Sequence, residues 1–238
     1  MHRTFTAMVP ALLAMTATAS AHPHVWVDAK ADIVFDPQGR IVEIRHSWTF
    51  DEAFSAFAVQ GLDTNNDGKY SREELRPLAE VNVTSLREYG YFTTLRVKST
   101  NPNDIAEAYV RGAAPAGLKT KVALAAPEDY WLEHDGTALT LHFTLPLRSP
   151  LAVAADPVTL EVYDPEYFVA FSLAKNDPVH LANAPVGCRL DVERPKELDY
   201  ATATALAAIP ADVRQLPSGL GRLAGGLANR ATIACGAH

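Results

Sequence analysis

Val25-Trp26-Val27-Asp28-Ala29-Lys30-Ala31-Asp32-Ile33-Val34-Phe35 alternates apolar and polar side chains. Val25, Val27, Ala29, Ala31 and Ile33 fall on one face, with Trp26, Asp28, Lys30 and Asp32 on the other. A period of two over this length predicts a half-buried strand. Asp36-Pro37-Gln38-Gly39 follows as a turn, with glycine where a positive φ is wanted. Residues 40–50 repeat the alternation: Ile44, His46, Trp48 and Phe50 share one face, and Glu43, Arg45, Ser47 and Thr49 the other. The two strands make a hairpin and commit the chain to a β-fold.

The same pattern returns downstream. Residues 91–97, 105–110 and 118–125 read as strands. Residues 129–133 and 139–145 flank His134-Asp135-Gly136-Thr137, a hairpin turn with the Asp-Gly signal. His142 alternates with Leu141 and Phe143, which puts it on the polar side. Residues 158–163 and 167–173 are expected to pair around Asp164-Pro165-Glu166, and residues 187–192 form the last strand. Short strands at this spacing predict a mainly β, antiparallel sandwich-like domain over residues 22–195. After Pro195 the texture becomes Ala-rich and then Gly-punctuated, so residues 196–238 read as a short helical and loop segment, with helix over 199–209 and another turn near 211–216.

Residues 51–90 interrupt the strands with helical spacing. Phe54, Phe57, Ala58 and Leu62 form one stripe, and Leu75, Leu78, Ala79, Asn82 and Leu86 another. Between the two lies Asp63-Thr64-Asn65-Asn66-Asp67-Gly68-Lys69-Tyr70-Ser71-Arg72-Glu73-Glu74, a twelve-residue loop of the EF-hand kind. Asp63, Asn65, Asp67, Ser71 and Glu74 supply side-chain oxygens at loop positions 1, 3, 5, 9 and 12. Lys69 supplies its backbone carbonyl, and Gly68 stands where the loop must turn sharply. This donor set suits Ca²⁺, a hard cation with many oxygen ligands. The plainer reading is an Asx-rich turn that caps the second helix.

Residues 1–21 carry Arg3, a short apolar run and Ala19-Ser20-Ala21 before the expected cleavage point. That is the pattern of a secretory signal peptide, so the mature chain is expected in the periplasm. No later run is apolar for long enough to span a membrane. Removing Arg3 leaves 20 basic residues against 28 acidic ones, a net charge of −8 with His neutral. This balance argues against nucleic acid and anionic membranes as partners. The hydrophobic share of 48% and the charged share of 21% are those of a globular protein. Cys188 and Cys235 are the two cysteines. In an oxidising compartment they read as a disulfide that ties the last segment back; a two-thiolate metal site is the alternative.

Cleavage after Ala21 would expose His22-Pro23-His24 as the new N-terminus. An amino group and two imidazoles suit copper, zinc or nickel. His46 is either a core histidine or a third imidazole for His22 and His24. A solvent-exposed tail is the plain reading of the pair.

His22-Pro23-His24-Val25-Trp26-Val27-Asp28, His46-Ser47-Trp48-Thr49-Phe50-Asp51-Glu52, the 61–75 loop, Tyr89-Gly90-Tyr91-Phe92-Thr93 and Tyr163-Asp164-Pro165-Glu166-Tyr167-Phe168 together resemble a bacterial periplasmic family. It is the domain of unknown function 1007, labelled an uncharacterised ABC-type transport component. The resemblance implies a partner of membrane permeases for nickel, cobalt or zinc and attaches no catalytic residues. The strands do not alternate with helices as in a two-lobed transport-binding protein. The expectation is therefore a non-enzymatic, calcium-stabilised metal-binding protein that serves transition-metal transport or homeostasis. Its alternatives are a copper-dependent oxidoreductase built on an N-terminal His and a calcium-only interaction module. No G-x-S-x-G or H-E-x-x-H motif marks a hydrolase.

Overall fold

A computed structural model describes residues 23–98, 119–153, 157–195, 198–209, 213 and 225–236. Residues 1–22, and with them the signal segment and His22, lie outside the described residues, as do the strand expected at 105–110 and most of the turn expected near 211–216. No helix among the described residues is long and apolar enough to cross a membrane.

The opening hairpin forms as expected. β1 (Val25–Phe35) pairs antiparallel with β2 (Arg40–Phe50), and the turn closes at Gly39 with φ 73°. Val25, Val27, Ala29, Ala31 and Ile33 are buried, as are Ile44, His46 and Trp48. The remaining strands are β3 (Thr93–Lys98), β4 (Lys119–Lys121), β5 (Glu128–His134), β6 (Leu139–Ala152), β7 (Val158–Val162), β8 (Val169–Leu173), β9 (Val179–Ala182), β10 (Arg189–Glu193) and β11 (Asn229–Ala234). One six-stranded sheet runs β5-β6-β2-β1-β8, with β9 also on β1; a five-stranded sheet runs β10-β11-β7-β3-β4. Leu95, Leu160 and Ile233 from the second sheet join Ile33, Trp48, Leu141 and Phe143 from the first in one buried cluster.

Three expectations need correction. The fold is not purely antiparallel, because β8 and β9 both run parallel to β1. The strands on either side of Asp164-Pro165-Glu166 do not pair: β7 lies in the second sheet and β8 in the first. A tight turn cannot produce this arrangement, so the segment is a crossover between sheets. Finally, residues 196–238 are not only helix and loop. β11 is an interior strand between β10 and β7, with Ala231 and Ile233 buried, so the domain runs past residue 195. The Cys188–Cys235 disulfide is formed and joins the entry of β10 to the exit of β11. The Asn229 amide donates to the carbonyls of Val162 and Phe171, one from each sheet, and ties them at this end.

α1 (Glu52–Ala58) and α2 (Arg72–Leu86) follow β2. The Asp51 carboxylate caps α1 through the Phe54 amide and also accepts the Trp26 amide of β1. α1 buries Ser55 and its C-cap Val59; Phe54, Ala58 and Leu62 of the expected stripe pack against the core, whereas Phe57 is 71% exposed. The Ser55 hydroxyl donates to the Phe50 carbonyl and accepts the Leu139 amide, which turns the Ser55 side of the short helix inward and Phe57 outward. α2 buries Leu75, Ala79 and Val83 and packs against β5. α3 (Tyr200–Ala207) is the Ala-rich helix expected after Pro195.

Candidate functional site

Both candidate sites adjoin α2, one at each end. At its N-terminus the loop folds on its own side chains. Asp63 accepts the amides of Asp67 and Gly68, Asn65 accepts the Asp67 amide, and Asp67 accepts the Lys69 amide. Gly68 has φ 75°, with open space where a side chain would stand. Glu74 completes a capping box with Ser71 and takes the amide and hydroxyl of Thr64 on its other oxygen. The Ser71 amide foremost, then the Ser71 and Thr64 hydroxyls, hold the Glu74 carboxyl down at about 2. Among the described residues no three His, Cys, Asp or Glu side chains converge as a metal-holding group. The donors Asp63, Asn65, Asp67, Ser71, Glu74 and the Lys69 carbonyl therefore stand on one loop, with their carboxylates bonded to its amides and hydroxyls. Tyr70 meets His134 edge-on at 4.9 Å and Arg72 lies over Trp131, so the loop is docked on the β5–β6 hairpin. Between them lies a wide trough of about 920 Å³, lined by Lys69 and Asp67 on one side and His134 and Asp135 on the other.

The C-terminal end of α2 meets the crossover. Asp164 is 4% exposed; its carboxylate accepts the amides of Glu166, Phe168 and Val169. Those bonds hold Tyr167 at φ 55°. Opposite, Gly90, Tyr91 and Phe92 form a left-handed turn with φ 59°, 56° and 47°. Each non-glycine residue so held costs about 1–3 kcal/mol. Both strained segments line one cavity of about 270 Å³, whose walls include Leu86, Tyr89, Phe92, Phe168, Asp164 and Glu166. Tyr89 stacks on Phe92 at 5.2 Å, and His24 stacks on Phe168 at 4.5 Å.

His46 reaches the left-handed turn from β2. It is 2% exposed. Trp48 Nε1–H donates to His46 Nδ1, the other ring nitrogen bonds Thr93 Oγ1, and the Thr93 hydroxyl donates to the Tyr91 carbonyl. The chain of donors requires a neutral ring with its proton on Nε2. Burial pushes its pKa down to about 3. His46 stands opposite Ala31, seven residues along β1 from His24, which separates them by roughly 20 Å at strand rise. Of the two readings of His46, the structure gives the core histidine, and the shared imidazole site with His24 is corrected. His46 instead holds the left-handed turn in place.

Sequence reasoning missed the cavity, because its walls come from residues 82–92 and 164–169. The stretches His22-Pro23-His24, Tyr89 to Thr93 and Tyr163 to Phe168, which carry the family resemblance, meet there in their described parts. It also missed a relay on the outer face of the first sheet. There Ser47 Oγ lies 2.9 Å from His142 Nδ1, and His142 Nε2 lies 2.9 Å from Glu133. Ser47 and His142 face each other on interior β2 and β6, and Glu133 lies on the edge strand β5. β2 lies between β1 and β6, so its amides are taken up by strands on both sides.

Comparison with known proteins agrees with the resemblance. Residues 7–235 match the model of the family described as Protein of unknown function (DUF1007). A relative from Haemophilus influenzae, named only as an uncharacterized protein, is 22% identical over 169 residues, covering 71% of each chain. With nearly its whole length matched, this chain belongs to the DUF1007 family.

Proposed function

We propose that the chain is an exported, calcium-stabilised metal-binding protein that acts as a periplasmic accessory to transition-metal transport, by binding rather than catalysis. The observation that carries this is the 63–74 loop. Its oxygen donors have the chemistry calcium requires, on a backbone already turned at Gly68 and capped into α2 at Ser71. The carboxylate bonds a cation would compete with are exposed ones. The single loop argues for a structural clamp rather than a paired calcium sensor. The pattern of residues 1–21 supports export, and the formed disulfide fits an oxidising compartment.

For the transition metal, nickel, cobalt, zinc or copper, the ligands are His24 and His22. Elemental analysis of protein recovered from the exported fraction, with its own N-terminus and no tag, tests both ions. Calcium and one transition metal are expected at stoichiometric levels, with the transition metal lost in a His22→Ala/His24→Ala double variant. Unchanged transition-metal content in that variant rules out the histidine site. A calcium-only interaction module is the second reading. It is favoured by the distance between His46 and His24, which leaves the histidine set with two neighbouring members.

A further inference from the structure

We propose that the outer face of the first sheet carries a second, separate role: a hydrolytic site at which Ser47 is the nucleophile toward a short-chain carboxylic ester. This goes beyond the calcium and transition-metal reading and does not rest on it. Four strands in register set the site out as one row: Lys30 on β1, Ser47 on β2, His142 on β6 and Trp131 on β5. Opposed residues of neighbouring antiparallel strands point to the same face, about 4.5–5.5 Å apart at Cβ. Ser47 Oγ lies 2.9 Å from His142 Nδ1, and Glu133 Oε1 lies 2.9 Å from His142 Nε2. A carboxylate can only accept, so Glu133 takes the Nε2 proton of the neutral ring and leaves Nδ1 to accept from the Ser47 hydroxyl. That is the arrangement a general base needs beside a nucleophile. The ring plane is fixed as well: His142 stacks on Trp131 at 4.7 Å and 11°, and Arg72 lies over the Trp131 ring.

The Ser47 oxygen bonds to the acyl carbon while its proton passes to His142 Nδ1. The bond from that carbon to the alcohol oxygen then breaks, and the leaving oxygen takes the proton from Nδ1. Water, deprotonated by the same nitrogen, attacks the acyl-serine, releases the carboxylic acid and restores the Ser47 hydroxyl. Glu133 touches neither reactant; it is a positioning residue that holds the ring and its charge. Negative charge gathers on the carbonyl oxygen at each step and needs a positive partner. The β2 amides are engaged in the sheet, so that partner is a side chain. Lys30 flanks Ser47 on the side away from His142 and is exposed, and among the described residues no carboxylate pairs with its ammonium. Lys30 and Glu133 both stand in solvent, with the side chain of His142 18% exposed between them, so the row opens outward to a substrate presented at the surface.

The test incubates the full chain, in calcium-containing buffer, with p-nitrophenyl acetate and, separately, with a fluorophosphonate, which phosphonylates an activated serine and expels fluoride. The wild type is expected to hydrolyse the ester about 100-fold or more faster than Ser47→Ala, and His142→Phe to lose a similar factor. Peptide mass mapping is expected to place the phosphonyl group on Ser47. Glu133→Gln is expected to lower kcat about tenfold with KM unchanged, because a side-chain amide no longer fixes which ring nitrogen carries the proton. Thr49→Ala, which removes the next hydroxyl on the same face of β2, is expected to leave the rate unchanged. Thermal unfolding confirms that each variant is folded, and the labelling of the wild type needs no variant. Hydrolysis no faster than that of Ser47→Ala overturns the proposal. So does a label that falls elsewhere, or one that reaches Ser47 as fast in His142→Phe as in the wild type. Repeating the assay with Glu74→Gln separates this site from the calcium reading, because hydrolysis is expected to survive a loss of calcium.

Discussion

The two ends of α2 are built in opposite ways. The N-terminal end is local: within twelve residues, short polar side chains satisfy their own neighbouring amides, and glycine takes the main turn. The C-terminal end is assembled from segments some 80 residues apart, and tyrosine and phenylalanine are held at positive φ. The first arrangement needs little from the fold. The second persists only because buried groups over-determine it. A ligand at the first end would hold a helix start, whereas a ligand at the second would sit on geometry the core already maintains. Conditions that attack the core should therefore strike the C-terminal end first.

Acid is the strongest such condition. The folded protein keeps His46 neutral, with a pKa near 3, against about 6.5 for an unfolded histidine. The unfolded chain binds the extra proton as pH falls, so stability is full above about 6.5 and is lost progressively down to about 3. The shift corresponds to a loss on the order of 5 kcal/mol. Denaturant unfolding at a series of pH values is expected to show this slope in the wild type. In His46→Leu the slope should be largely gone, although that variant is less stable at neutral pH because the Trp48 indole and Thr93 hydroxyl lose a partner. If both proteins show the same slope, the relay does not hold the left-handed turn.

Asp164→Ala probes the opposite wall. It strips the acceptor from three backbone amides at once, and a loss of about 3 kcal/mol is expected by equilibrium unfolding. With those three bonds gone, less holds Tyr167 at φ 55°, although its amide still donates to the residue-164 carbonyl. Calcium affinity at the other end of α2 should be unaffected. A parallel fall in calcium affinity would show that the two ends are not independent.

The same contrast explains what could be read from the sequence. The β1–β2 hairpin, its inward faces and the Asx-rich turn that caps α2 were legible because each is written in consecutive residues with a fixed period or spacing. β11 was not, because Asn229, Ala231 and Ile233 point inward with only one large apolar side chain among them, which gives a weak alternation. The crossover at Asp164 looked like a hairpin turn, since Asp-Pro reads the same whether the chain returns to its neighbour or leaves for another sheet. Gly90 alone announced a positive φ; nothing in Tyr91 or Phe92 does. His46 was ambiguous on its strand because the deciding partners, Trp48 aside, come from Thr93, 47 residues on.

The smallest effect tests the local end. If the loop takes calcium, free calcium at ten times its dissociation constant should raise unfolding stability by about 1.4 kcal/mol, through linkage to the folded state alone. Glu74→Gln should abolish that increment, since an amide offers one oxygen where the carboxylate offers two. It should also flatten part of the acid limb. Glu74 is held at about 2, below its ordinary 4.5, so what its bonds contribute is present above 4.5 and is lost as pH falls toward 2. The Asp164 and His46 variants should respond to calcium by the same increment as the wild type, because the bonds described for both residues lie away from the loop. A calcium increment that survives Glu74→Gln would place the ion elsewhere and leave the loop as a helix cap.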